Sequence, residues 1–272
     1  MGLLIVIPRR QQLTQFVEAL RTDPAAERRP LFERLTGLTP EEVDDLLANG
    51  LCSLDTSSDD WERALADMES LGIESRVRET LLNLQARFAC GQDLSVEVFP
   101  MDVADTFGRE KLGGVSGWTN WEGTTISLVV YPAAETLPVL TSTVAHEYHH
   151  HYRTVVMNNG HDRIPLLESL IREGMAEHFV AEVLGDAARG PFAAVLSPDE
   201  ARSLWRTIYR HRIFLQGDDM NPYQFGGGTS GLPLWAGYSI GYHLVDWYRA
   251  EHPNLSVVEL TRLDAACFIP EE

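Results

Sequence analysis

The chain has 272 residues, enough for one large domain or for a core with an extension. Hydrophobic residues make up 44%, which excludes wholesale disorder. The formal net charge of −18, from 22 basic and 40 acidic residues, argues against nucleic acid or an anionic membrane as partner and favours neutral or basic substrates.

Residues 3–7 (Leu3-Leu4-Ile5-Val6-Ile7) predict a short strand. The run is too short for a signal-peptide core, and its basic residues, Arg9 and Arg10, follow it instead of preceding it. From about residue 10 to 90 the pattern is helical. Leu13, Phe16, Val17 and Leu20 repeat at helical spacing, as do Trp61, Leu65 and Met68, and then Val77, Leu81, Leu84 and Phe88. Thr39-Pro40-Glu41-Glu42 predicts an N-cap, a proline in the first turn and acids behind it. Leu94 to Phe99 alternates like a strand, Gly113 to Trp118 is glycine-rich and extended, and Thr124 to Tyr131 alternates again before Pro132. Helices are predicted over about 137–152, 165–185, 198–214 and 238–251, with a glycine-rich loop at 217–233. The order of helices, small antiparallel sheet and helices predicts an α+β fold. A helical N-terminal region (1–91) would precede a second domain (92–272), or the two would form one compact unit. The three cysteines, Cys52, Cys90 and Cys267, are far apart and form no C-x-x-C, which suits a reducing compartment. No stretch approaches about 18 apolar residues, so no transmembrane span is expected and the reading is a cytoplasmic protein.

The chemistry concentrates at His146-Glu147-Tyr148-His149-His150, which carries the pattern H-E-x-x-H. On a helix, histidines four apart lie on one face with Cβ atoms about 5–6 Å apart. Both can reach one zinc ion at about 2.0–2.1 Å. Glu147, rotated by about 100°, stands beside the metal as a general base. His149 and His151 allow other pairings, but only 146 with 150 puts a glutamate in the base position. In the next helix Leu166, Leu170, Glu173, Glu177, Val180 and Leu184 share a stripe, so two carboxylates lie on an otherwise apolar face. Buried carboxylates are costly without partners, and zinc and a metal-bound histidine would serve. Gly174 sits mid-helix, where glycine costs about 1 kcal/mol against alanine. Close approach of two helices around a metal would explain it.

His146-Glu147-x-x-His150 followed by Glu173-Gly174-Met175-Ala176-Glu177 resembles the gluzincin clan of zinc metallopeptidases, whose aminopeptidases carry a similar E-G-F-A run. Across about 113–250 the chain is closer to a domain-of-unknown-function family described as predicted zinc-dependent proteases, with a G-x-S-G segment, then H-E-x-x-H, then E-G-x-A-E. The resemblance implies a zincin-like core and one Zn2+ per chain. It implies His146, His150 and Glu173 as ligands, Glu147 as base, and Glu177 as an outer carboxylate that orients a ligand histidine. Tyr238-Ser239-Ile240-Gly241 is similar to the Y-x-x-G segment of gluzincin aminopeptidases, which implies Tyr238 as the oxyanion donor; Tyr242 and His243 are close enough to serve instead. The G-x-M-E-N segment that would bind a substrate's free amine is missing, so exopeptidase activity does not follow. In the clan an edge strand pairs with the extended substrate, a role open to 113–118 or to 124–131. Gly226-Gly227-Gly228 lacks a following Lys-Ser/Thr and is no phosphate cradle.

The expected function is peptide hydrolysis by a zinc-bound water that Glu147 activates, on a peptide or protein substrate, without nucleic acid or membrane. The alternatives are a zinc-stabilised binding or regulatory module without turnover, and a metal-dependent hydrolase of something other than peptides. Glu147 counts against the first, because a structural site needs no base and usually closes with four protein ligands.

Overall fold

A computed structural model describes residues 2–160 and 163–271. The chain is α+β and builds two compact units. One takes the residues up to Arg87 with Gln92–Asn120 and Thr124–Val144; the other takes Phe88–Gly91, Trp121–Gly123 and the residues from Ala145 onward.

In the first unit, β1 (Leu4–Val6) is followed by five helices, α1 (Arg9–Thr22), α2 (Arg28–Thr36), α3 (Pro40–Ala48), α4 (Ser58–Ser70) and α5 (Ile73–Arg87). α1, α4 and α5 bury the apolar stripes legible in the sequence, α5 as far as Leu84. Phe16 of α1 meets Phe32 of α2 edge-on at 5.3 Å and Trp61 of α4 at 5.8 Å. Thr39 and Glu42 close the predicted capping box on α3. Then come β2 (Leu94–Pro100), α6 (Thr106–Lys111), β3 (Val115–Thr119) and β4 (Thr125–Val130).

The sheet has the order β1-β2-β4-β3 and is mixed, which corrects the expected antiparallel sheet. β1 pairs parallel with β2, and β2 parallel with β4; only β3 and β4 are antiparallel. Connection length explains the difference. Parallel neighbours need long crossovers, and both parallel pairs are joined by helix-bearing segments. β3 and β4 are joined only by residues 120–124, where Asn120 Oδ1 accepts from the Thr124 and Thr125 amides. Because β4 is flanked on both sides, β3 alone of the two segments singled out for substrate pairing lies at an edge. Arg9 meets Glu97 of β2 in a buried ion pair at 2.6 Å, and Ser127 of β4 donates to the same carboxylate.

The second unit contains α7 (Leu137–Met157) from Ala145 onward, α8 (Leu166–Leu184), α9 (Pro198–Thr207), α10 (Asn221–Gln224), α11 (Ala236–Glu251) and α12 (Val257–Leu260). Between Leu166 and Val180, α8 is buried on every side; only Glu173 keeps some surface. It is therefore a central helix and not a one-faced one. The helix predicted over 198–214 stops at Thr207. Its continuation turns so that the Ile213 and Leu215 carbonyls accept from the Leu167 and Leu166 amides, which have no partner inside α8.

Gly174 explains itself through α11. A Cβ on Gly174 would lie 2.2 Å from the Gly241 carbonyl group, and one on Gly241 would lie 1.8 Å from the Leu170 oxygen. The two backbones touch, so the close approach expected at Gly174 is that of α8 to α11. Arg153, fully buried, grips Glu168 of α8 with two hydrogen bonds of 2.9 and 2.8 Å and gives a third to the Thr261 carbonyl. Arg172 and Asn159 also donate to Glu168. Burial alone would push the Glu168 carboxyl upward; hydrogen bonding and charge from the two arginines overcome this and hold it below the usual carboxylate range. Among the described residues no helix is long and apolar enough to cross a membrane.

Two stability predictions follow from these contacts. Gly174→Ala should lose about 1–3 kcal/mol in urea unfolding through overpacking, despite alanine's better helix propensity. Glu168→Gln should lose about 3–5 kcal/mol by leaving buried Arg153 uncompensated. Since Glu168 has a lowered pKa in the folded state, its contribution is complete above the usual glutamate value of about 4.3. It should fade as pH falls below that through the folded value, and this acid-side loss should vanish in Glu168→Gln.

Candidate metal centre

His146 and His150 lie one turn apart on α7 and turn their Nε2 atoms to each other at 3.0 Å. Glu173 reaches in from α8, with Oε2 3.1 Å from His146 Nε2 and 3.6 Å from His150 Nε2. A tetrahedral zinc ion with bonds of about 2.0–2.1 Å separates its ligand atoms by about 3.3 Å. The three atoms therefore have the spacing of one face of such a coordination shell. His146, Glu147 and His150 each offer a donor atom within 4.8 Å of the others, so Glu147 stands beside the triangle.

The surroundings suit a cation. His146 Nδ1 donates to Glu177 Oε1 at 2.8 Å, which leaves Nε2 to present its lone pair to the triangle. Glu177 is itself held, since its Oε2 accepts from the Gly190 amide at 2.7 Å. Burial disfavours a charged His146, but the hydrogen bonds and charges of Glu173 and Glu177 outweigh it and raise the imidazole pKa well above its ordinary value. Burial likewise opposes the Glu173 carboxylate, and the charges and hydrogen bonds of His150 and His146 bring it down to about 2. Two carboxylates thus demand positive charge where the imidazoles meet, and a proton or a metal ion can supply it.

The neighbouring histidines do other work. His149 is fully buried, contacts Thr261 Oγ1 at 3.0 Å and packs on Phe179. Burial, then the charges of His150 and Arg153, lower its pKa well below the ordinary value, so it stays neutral. His151 Nδ1 donates to the Gly123 carbonyl, and its Nε2 lies 3.0 Å from Cys90 Sγ. Neither points into the triangle.

α11 brings Tyr238 to the same place. Burial, then the charges of Glu173 and Glu147, push its hydroxyl well above its ordinary pKa, so it is a hydrogen-bond donor at neutral pH. The two alternatives in that segment are engaged elsewhere. Tyr242 stacks on His178 at 4.5 Å and receives a hydrogen bond from Arg189, and His243 Nε2 bonds the Leu196 carbonyl at 2.9 Å.

The connecting segments add residues that sequence reasoning missed. Phe192 stands 6.3 Å from the His146 ring, 5.0 Å from Trp235 and 5.2 Å from Tyr238. Trp235 takes a left-handed conformation (φ 62°), rare for a bulky residue, immediately before α11. Gln224 lies buried at the end of α10. None of these has a periodic signal; only the glycines and prolines around them mark the turns that carry them.

The family model described as "Predicted Zn-dependent protease (DUF2268)" matches residues 73–270. An uncharacterized Bacillus subtilis protein, YjfC, is 28% identical over 209 residues, covering 72% of this chain and 69% of its own. A second uncharacterized protein of the same organism, YjaZ, is 25% identical over 183 residues, covering 64% and 68%. No solved structure matches. The chain belongs to the family of predicted zinc-dependent proteases.

Proposed function

We propose that the protein is a zinc peptidase that binds one Zn2+ per chain and hydrolyses peptide bonds in peptide or protein substrates. The observation that carries this reading is the convergence of His146 Nε2, His150 Nε2 and Glu173 Oε2, with Glu147 beside them. Three protein ligands leave a fourth position open, which is the mark of a catalytic site and not of a structural one.

When bound there, zinc would lower the pKa of a coordinated water to about 7 and polarise a carbonyl. The rest falls to the chain's own groups. Glu147 takes the proton of the attacking water and passes it to the leaving amine. Tyr238 donates its hydroxyl proton in a hydrogen bond to the carbonyl oxygen as that oxygen becomes negative. Glu177 holds His146 with its Nε2 lone pair turned inward, and the Gly190 amide holds Glu177 in turn. The crossing of α8 and α11 keeps Glu173 and Tyr238 in fixed relation.

Two measurements on wild type and variants test the reading: metal content by elemental analysis, and cleavage of a quenched peptide library. Glu147→Gln should keep one zinc per chain and lose turnover by about 100-fold or more. Full turnover in that variant would overturn the mechanism. Glu173→Ala should lose the metal, and stoichiometric zinc in it would refute that ligand. Glu177→Gln should weaken zinc binding by about 10–100-fold while leaving the ligand set intact. Zinc in the wild type without cleavage of any peptide would favour a binding module instead.

A further inference from the structure

Buried polar atoms are almost always paired, so an unpaired one needs a reason. Gln224 is 3% exposed, and among the described residues neither its Nε2 nor its Oε1 has a hydrogen bond of good geometry. Leaving such a group unsatisfied is destabilising, because it gives up water without gaining a partner. An apolar side chain of similar length would avoid that cost.

The fold holds Gln224 firmly in this place. Its carbonyl and that of Tyr223 press on the first turn of α11 at Gly237, where a Cβ would lie 2.5 Å from both oxygens. The next residue of α11 is Tyr238, and the Gln224 carboxamide approaches its hydroxyl. Phe225, the following residue of the loop, faces the Tyr238 ring at 6.2 Å.

A tyrosine that gives its only proton to a substrate oxygen must accept, not donate, in its other hydrogen bond. Tyr238 has carboxylates nearby, Glu173 and Glu147, that would compete for that proton. A donor placed against the phenol oxygen orients the hydroxyl away from itself and toward the reacting carbonyl. We infer that Gln224 is a positioning residue for Tyr238, its Nε2–H donating to Oη so that the tyrosine proton points at the developing oxyanion. The inference rests on the reading of Tyr238 given above. The carboxamide is then a donor held near the hydroxyl before the reaction, and its hydrogen bond to Oη closes as the substrate oxygen enters.

The test compares Gln224→Met and Gln224→Glu, each alone and combined with Tyr238→Phe, by kcat and KM on a cleaved peptide and by thermal unfolding. Gln224→Met removes the buried polar group, so its Tm should stay unchanged or rise by about 2–4 °C. Its kcat should nevertheless fall about tenfold, the worth of one hydrogen bond, with KM nearly unchanged. Gln224→Glu keeps the shape but lacks the N–H donor, and should lose kcat to a similar extent. In the Tyr238→Phe background neither change should lower kcat further. Full kcat in Gln224→Met overturns the inference. So does a loss of kcat that tracks a loss of Tm and persists in the Tyr238→Phe background, which would assign Gln224 to packing. Full kcat in Tyr238→Phe alone removes the role of Tyr238 and this inference with it, while leaving the metal reading intact; a wild type that cleaves no peptide overturns the peptidase reading itself.

Discussion

The backbone contact between Gly174 and Gly241 is the constraint on which the site depends. With no side chain between them, α8 and α11 have no freedom to slide: a shift along either axis would drive a neighbouring side chain into the opposing carbonyls. Glu173 immediately precedes Gly174, and Glu177 follows it by three residues; Tyr238 precedes Gly241 by three. One crossing point therefore sets the positions of two carboxylates and a hydroxyl on separate helices. The helix-weakening effect of two glycines is offset by the precision of that register.

The second requirement is electrostatic. A buried carboxylate attracts whatever cation is within reach, and arginine would be a competitor for a metal. The arginines of this unit that lie closest in sequence to the site are occupied. Arg153 and Arg172 converge on Glu168, and Arg172, although adjacent to Glu173 in the chain, turns to Glu168 and Asn159. Glu173 and Glu177 are thereby left to the imidazoles. The buried ion network thus keeps the two guanidinium groups on Glu168 and Asn159 and off the site carboxylates.

Helical periodicity made the larger part of the site legible. His146, Glu147 and His150 are specified by spacing within one helix, and Glu173 and Glu177 by spacing within the next, so each group could be found without knowing how the helices pack. Gly174 was legible as a close approach, but its partner was not, because the contact joins segments more than 60 residues apart and glycine leaves no pattern of its own. The parallel pairing in the sheet was hidden for a similar reason: alternation reports that a strand is half-buried, not which neighbour it takes. Phe192 and Gln224 come from helical segments of only four residues, and Trp235 from the position just before α11, so no repeat marks any of them. The helix predicted across 198–214 failed at its end because the chain there satisfies the first turn of α8, a demand that no local propensity records.

The pairing of Leu4–Val6 with Leu94–Val96 has a consequence for biosynthesis. The two strands are 94 − 4 = 90 positions apart, and all five helices between them are made first. At about 5–20 residues per second, the ribosome needs roughly 5–18 s to pass from one strand to the other. During that interval the apolar strand has no partner in the sheet. Of the three pairings in the sheet, β3 with β4 closes over the shortest loop and β1 with β2 over the longest, so the entropy of loop closure weighs most on β1.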